Sequence, residues 1–218
     1  MLDRNHALSG ALTAIALTAT VHVPPTATVL TVVTCAGAAC LPDLDEPGSA
    51  VADTFGIVSQ WFASTVATIF HGHRKGTHTM LAALCVTLAV QCVVIVTPVS
   101  AALCVGVLTA IAWRCGAPRS WRSGVLGWLM GITAGLIVAF RAPGVLLVPA
   151  VGLGYVIHLL GDIVTASGAP VLLPFSGRKV SAPLLGFVGS RREVVLGRGM
   201  IVILGLAGWL YLRPLLPR

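Results

Sequence analysis

Charged side chains are scarce in this sequence. They make up 10% of its 218 residues, and only seven residues are aspartates or glutamates. A soluble domain has about 25% charged residues, because its surface must be solvated. Hydrophobic residues account for 56% of the chain. The composition therefore excludes a soluble enzyme, a disordered chain and a collagen-like or coiled-coil rod, and it predicts a polytopic membrane protein.

Three sequence patterns are also missing. The six cysteines form no Cys-x-x-Cys pair, so neither a thiolate metal site nor a redox pair is predicted. No His-Glu-x-x-His segment occurs, which argues against peptide-bond hydrolysis. The net charge is +7, but no basic run is interleaved with aromatic residues, so nucleic acid is not an expected partner. In a membrane protein such an excess of Lys and Arg is typical of cytoplasmic loops.

Charge-free stretches of the chain predict an all-α, polytopic membrane helix bundle. A transmembrane helix needs about 20 apolar residues, and two of the longest stretches are divided at Pro24-Pro25 and at Thr97-Pro98. We expect one membrane-embedded domain over residues 1–218 with about seven transmembrane helices. Segment 53–70 is also apolar, but its Ser, Thr and Gln residues favour an amphipathic or re-entrant helix. The predicted spans are about 7–23, 26–41, 80–97, 98–113, 123–140, 143–161 and 199–216.

The Lys and Arg residues predict the orientation of these spans. With the N-terminus in the cytoplasm and the C-terminus outside, the outer side holds only Arg141, Arg213 and Arg218. Eleven basic residues then lie inside, and they are Arg4, Arg74, Lys75, Arg114, Arg119, Arg122, Arg178, Lys179, Arg191, Arg192 and Arg198.

Most of the acids and histidines lie at the cytoplasmic ends of the predicted spans. An ionisable side chain at the bilayer centre costs at least about 2.5–3.5 kcal/mol, so its presence suggests a function. Each pair alone also fits a helix cap, a solvated basic loop or a hydrogen-bonded pair inside a bundle. The residues are His6 before the first span, Asp43 and Asp45 after the second, His73 and His78 before the third, and His158 and Asp162 at the end of the sixth.

Together these seven side chains predict a metal site. Carboxylates and imidazoles gathered at one membrane face would repel one another or stay desolvated, and a divalent cation removes both costs. Mixed His and Asp ligands without Cys favour Zn²⁺, with Mn²⁺ or Fe²⁺ as alternatives. Seven candidates exceed what one tetrahedral ion needs. Either some of them orient the ligands, or two ions share the site.

Four ordered motifs resemble a known family. They are His6 with Gly10, then Leu41-Pro42-Asp43-Leu44-Asp45, the element from His73 to His78, and His158-x-x-x-Asp162-x-x-Thr165-x-x-Gly168 with Pro174-Phe175 after it. In these four motifs the chain resembles the YdjM-like family of membrane-bound, metal-dependent hydrolases, which includes a LexA-regulated inner-membrane protein. The family usually has His-Arg-Gly-x-Thr-His-Ser, whereas Lys75-Gly76 and Thr79 stand here. The resemblance implies a hydrolase of the bacterial cytoplasmic (inner) membrane.

The leading hypothesis is hydrolysis by a metal-activated water at the cytoplasmic membrane face. Asp45 or Asp162 could accept the proton. Arg74 and Lys75 could neutralise a phosphate, and so could Arg178 and Lys179. A site at the lipid boundary favours an anionic amphiphile, such as a phospholipid or a polyprenyl phosphate. A metal transporter or sensor, and a structural membrane protein with a metal staple, are the alternatives. The sequence leaves the oligomeric state open.

Overall fold

The computed structural model describes residues 1–141 and 145–212, and within them the chain is all-helical, as predicted. Short 3₁₀ helices cover Leu41–Asp45 and Arg119–Trp121. The eight α-helices are α1 (Asp3–Val21), α2 (Pro25–Ala38), α3 (Ile57–Ile69), α4 (Met80–Val94), α5 (Pro98–Gly116), α6 (Gly124–Arg141), α7 (Leu147–Ile163) and α8 (Arg191–Leu212).

Proline determines where two of the helices begin. Pro25 and Pro98 occupy the first positions of α2 and α5, where the missing N–H costs nothing because that position has no partner within the helix. The Thr97 hydroxyl accepts a hydrogen bond from the backbone N–H of Ser100 at 3.1 Å, which completes a capping box. Both predicted breaks in the long apolar stretches therefore lie between helices.

Within the described residues, the structure does not confirm the predicted number of seven transmembrane helices. Three segments are both long and apolar enough to cross a bilayer, namely Pro25–Asp45, Pro98–Gly116 and Arg191–Tyr211. Others are short: α4 has 15 residues and rises about 22 Å, against a hydrocarbon core of about 30 Å. The last helix begins at Arg191 rather than 199, because hydropathy detects only its apolar part. The predicted limits at 143 and 216, with Arg213 and Arg218, lie outside the described residues.

Helix α2 lies at the centre of the packing, in contact with α1, α5 and α7. Small residues let the backbones approach closely. A Cβ at Gly10 of α1 or at Gly154 of α7 would lie 2.6 Å from the same oxygen, the carbonyl of Cys35 in α2. Gly37 meets the backbone of Leu108 in α5 in the same way. These contacts fix the ends of α1, α2 and α7 relative to one another.

Helix α3 exposes apolar side chains. Ile57 is 82% exposed and Trp61 70% exposed, whereas the buried residues of this helix are Ser59 and Ala63. The buried face contacts the 3₁₀ helix at Leu41–Asp45. Helix α3 has an apolar outer face and 13 residues, so it is shorter than the predicted segment 53–70. It begins only at Ile57 because Gly56, which has a positive φ, precedes its first turn.

Substitution of Gly37 by Ala tests the close packing of α2. The added methyl would collide with the backbone of Leu108, so we expect a loss of about 1–3 kcal/mol in the free energy of unfolding, despite the better helix propensity of Ala. Gly208→Ala is the matched control, because no atom lies within 4 Å of a Cβ built there. Thermal unfolding in detergent measures both variants, and equal midpoints would contradict this account.

Candidate metal centre

The ends of four helices bring the predicted ligands together. His6 lies on the second turn of α1, Asp43 and Asp45 lie in the 3₁₀ helix after α2, and the 71–79 loop precedes α4. His158 and Asp162 lie on the last turns of α7. Five of these side chains belong to residues that are 0% exposed, namely His6, Asp45, His78, His158 and Asp162.

Four atoms of this cluster lie close together. The Nε2 atoms of His78 and His158 lie 3.2 Å apart. Asp43 Oδ1 lies 3.4 Å from the first nitrogen and 3.7 Å from the second, and Asp162 Oδ2 lies 3.5 Å and 3.8 Å from them. Tetrahedral zinc ligands at about 2.0–2.2 Å from the ion lie roughly 3.3–3.6 Å from one another. These five separations are therefore close to those between ligands of one cation.

The proton of His158 is assigned by a backbone carbonyl. Its Nδ1 lies 2.8 Å from the oxygen of Ala39, at the end of α2. Because a carbonyl can only accept, Nδ1 carries the hydrogen and Nε2 directs a lone pair at the centre of the cluster. This is the arrangement of a metal-binding imidazole whose other nitrogen is hydrogen-bonded to a backbone acceptor.

Asp45 has a different environment from Asp43. His73 Nδ1 lies 2.7 Å from its Oδ1, and the backbone N–H of Arg74 donates to its Oδ2 at 3.1 Å. The Thr77 hydroxyl also donates to Oδ2. The three groups of side chains that could hold an ion contain His6, Asp43, His73, His78, His158 and Asp162, but not Asp45. Asp45 is therefore placed to orient the 71–79 loop and the His73 ring.

Several buried atoms in the cluster have no hydrogen-bond partner. They are both ring nitrogens of His6 and the Oδ2 atom of Asp162. The His6 ring stacks on that of His158, with 3.7 Å between the ring centroids. An unpaired buried polar group costs about 1–3 kcal/mol, and a coordinated cation would remove that cost for the Asp162 oxygen and for one nitrogen of His6. Both the donor set and its unpaired atoms therefore fit a divalent metal.

His78 is basic in the absence of a metal. Burial lowers its pKa, but hydrogen bonding to Asp43 and Asp45 outweighs burial and raises the pKa to about 9. The ring is then protonated at neutral pH, and its proton lies between acids and His158. A cation that binds here takes the place of that proton, so metal binding releases it to solvent.

Two cations contact the cluster, the Arg74 guanidinium and the α-amino group of Met1. The Nη2 atom of Arg74 donates to Asp162 Oδ1 at 3.0 Å, and the α-amino nitrogen of Met1 lies 2.5 Å from the same oxygen. The Arg74 backbone has φ +57°, a left-handed conformation that is uncommon for a non-glycine residue and costs about 1–3 kcal/mol. The contacts to Asp45 and Asp162 maintain that conformation. Lys75, the other predicted catalytic cation, is exposed.

Two supporting residues, Tyr155 and Glu193, escaped the sequence analysis. The Tyr155 hydroxyl donates to the backbone oxygen of Thr77 at 2.7 Å, which attaches the 71–79 loop to α7. Glu193 of α8 is 0% exposed. It accepts from the backbone N–H groups of Leu2 at 2.5 Å and Gly189 at 2.6 Å, and from the amide of Asn5 at 3.3 Å. Its position as an isolated acid at a helix start, in a chain with few acids, was the available signal.

Comparison with known proteins gives one match. The family model for the YdjM inner membrane protein matches residues 1–214, nearly the whole chain. This confirms the resemblance carried by the four motifs. No curated protein and no solved structure matches the chain.

Substitution of Glu193 by Ala tests whether α8 positions His6. The variant removes the acceptor for two backbone N–H groups and for Asn5, so the first turns of α1 lose their attachment. We expect zinc affinity to fall about 10–100-fold, as for loss of other groups that orient ligands. Zinc titration of the purified protein measures this. Glu46→Ala removes the same charge from an exposed position, and an equal loss in that control would contradict the positioning role.

Proposed function

Because the chain belongs to the YdjM inner membrane protein family, we propose that it is a metal-dependent hydrolase that cleaves a lipid-linked phosphoester at the cytoplasmic membrane face. The observation that carries the proposal is the buried group of His78, His158 and Asp162, whose ligand atoms all lie within 4.8 Å of one another. Three protein ligands leave the fourth position of a tetrahedral ion for water. Zn²⁺ suits this ligand set best. When bound, a divalent ion supplies an activated water at neutral pH and polarises the oxygen of the scissile bond.

The residues around the ion have different roles in the proposed reaction. Asp162 Oδ2 has no hydrogen-bond partner, so it is the carboxylate available to bind the ion or to hold a proton. Asp45 has both oxygens engaged by His73, Arg74 and Thr77, and its role is to orient these groups rather than to act as the base. Arg74 neutralises charge beside Asp162. The exposed Lys75 has no assigned step.

A second ion would find ligands in the same cluster. The ligand atoms of Asp43, His73 and His78 lie within 4.8 Å of one another, and so do those of His6, Asp43 and His158. Asp43 is common to both groups. The site can therefore serve one ion or two, with Asp43 as the shared carboxylate.

Transport and a purely structural metal are the competing functions. A transporter binds its ion near the bilayer midplane in broken helices, whereas these ligands lie at helix ends and α7 runs without a break from Leu147 to Ile163. A metal staple is compatible with the same contacts, because the cluster connects four helix ends. Hydrolysis distinguishes them, since only an enzyme releases product from lipid.

Substitution of His158 by Asn tests the site. Loss of a group that only orients the ligands lowers metal affinity about 10–100-fold, so loss of a ligand itself should lower the affinity further. His22→Asn is the matched control, because His22 is exposed and its left-handed φ of 55° suits Asn. Metal content is measured together with product release from phospholipid and polyprenyl phosphate in detergent. We expect H158N to lose both the metal and the activity.

Three results would contradict the proposal. Equal metal content in H158N and H22N would exclude this site. A folded, metal-loaded wild type that releases no product from any lipid would favour the staple. Movement of metal across proteoliposomes without product would favour a transporter.

A further inference from the structure

A cavity of about 600 Å³ adjoins the cluster. Its lining includes Asp43 and His73, both candidate metal ligands, and two cations, Arg74 and Lys179. A small group inside this cavity would therefore lie against the metal centre and against both cations. Arg178, the neighbour of Lys179 in sequence, is exposed and is not part of the lining.

The segment that carries Lys179 is attached to the end of α7. Val180 exchanges two backbone hydrogen bonds with Ala169, at 2.9 and 3.1 Å. The N–H of Ala182 donates to the carbonyl of Ile163 at 2.7 Å. Gly168 is required at this crossing, because its φ is +58° and a Cβ there would lie 2.5 Å from the oxygen of Val180. The backbone beside Lys179 is therefore attached to the end of α7, and Lys179 itself is exposed.

Arg74 and Lys179 can each still donate hydrogen bonds to a ligand. The Nε of Arg74 is buried and has no hydrogen-bond partner, and Lys179 forms no salt bridge within residues 1–141 and 145–212. Three carboxylates, those of Asp3, Asp43 and Glu46, also line the cavity, as does Met1, which carries the charged α-amino group. Without Lys179 the lining would therefore be net acidic. A phosphate group offers several acceptor oxygens and negative charge, which both Lys and Arg bind well.

We propose that Lys179, together with Arg74, forms the binding subsite for a phosphate group of the substrate beside the metal centre. This inference rests on the proposed function and deepens it. It makes Lys179 the residue that selects phosphoesters over uncharged esters. The shared chemistry is a phosphate, and its source is either a lipid headgroup or a soluble molecule.

Binding measurements on the zinc-loaded full chain test the subsite. The probes are inorganic phosphate, and micelles that contain phosphatidic acid or, as the uncharged comparison, diacylglycerol. We expect Lys179→Ala to weaken phosphate binding at least about 10-fold with an unchanged zinc content, and Lys179→Arg to restore most of it. Arg178→Ala is the matched control and should bind phosphate as the wild type does. Diacylglycerol binding should be the same in all variants.

The two phosphate probes distinguish the sources. A Lys179-dependent loss confined to phosphatidic acid assigns the subsite to a lipid headgroup, and a loss with inorganic phosphate assigns it to phosphate itself. Wild-type affinity in K179A, or an equal loss in R178A, would overturn the proposal. A wild type that binds no zinc would instead overturn the proposed hydrolase, and phosphate binding to that metal-free chain would still report on Lys179.

Discussion

The structure depends on the burial of like charges in one place. Asp43, Asp45 and Asp162 converge where solvent is nearly excluded, and separated carboxylates in such a place would be prohibitively desolvated. Imidazoles, the Arg74 guanidinium and backbone N–H groups surround them. Even so, one carboxylate oxygen and both nitrogens of a histidine stay unpaired. A divalent cation is the simplest group that both offsets the negative charge and accepts lone pairs from this oxygen and from one of these nitrogens.

Helix packing and site geometry are two aspects of one arrangement. Gly10 and Gly154 bring α1 and α7 against the same carbonyl of α2, that of Cys35. This approach places His158 against the Ala39 carbonyl at the end of α2, and it stacks the His6 ring on the His158 ring. A side chain larger than hydrogen at either glycine would separate the helices, and the imidazoles would move apart with them. The two glycines therefore determine the geometry of the site, although they do not belong to it.

A second set of contacts positions the 71–79 loop and the start of α1. Asp45 and Tyr155 hold the 71–79 loop from two sides, and Glu193 holds the first turn of α1 from α8. These contacts connect regions up to 191 residues apart. They attach the loops and helix ends that carry the candidate ligands to the rest of the bundle, as a metal site requires.

The sequence by itself determined the all-α class, the two proline breaks and the clusters of acids and histidines, because hydropathy, proline geometry and the cost of charge in lipid act locally along the chain. Only the tertiary structure separated Asp43, which faces the histidine nitrogens, from Asp45, which orients the loop, although the two are neighbours in Leu-Pro-Asp-Leu-Asp. Likewise, Lys75 lies beside the ligands in sequence, yet Lys179 lines the cavity. Tautomers, orienting contacts and cavity walls depend on partners that lie 28 to 191 residues away in the chain, and no local pattern encodes them.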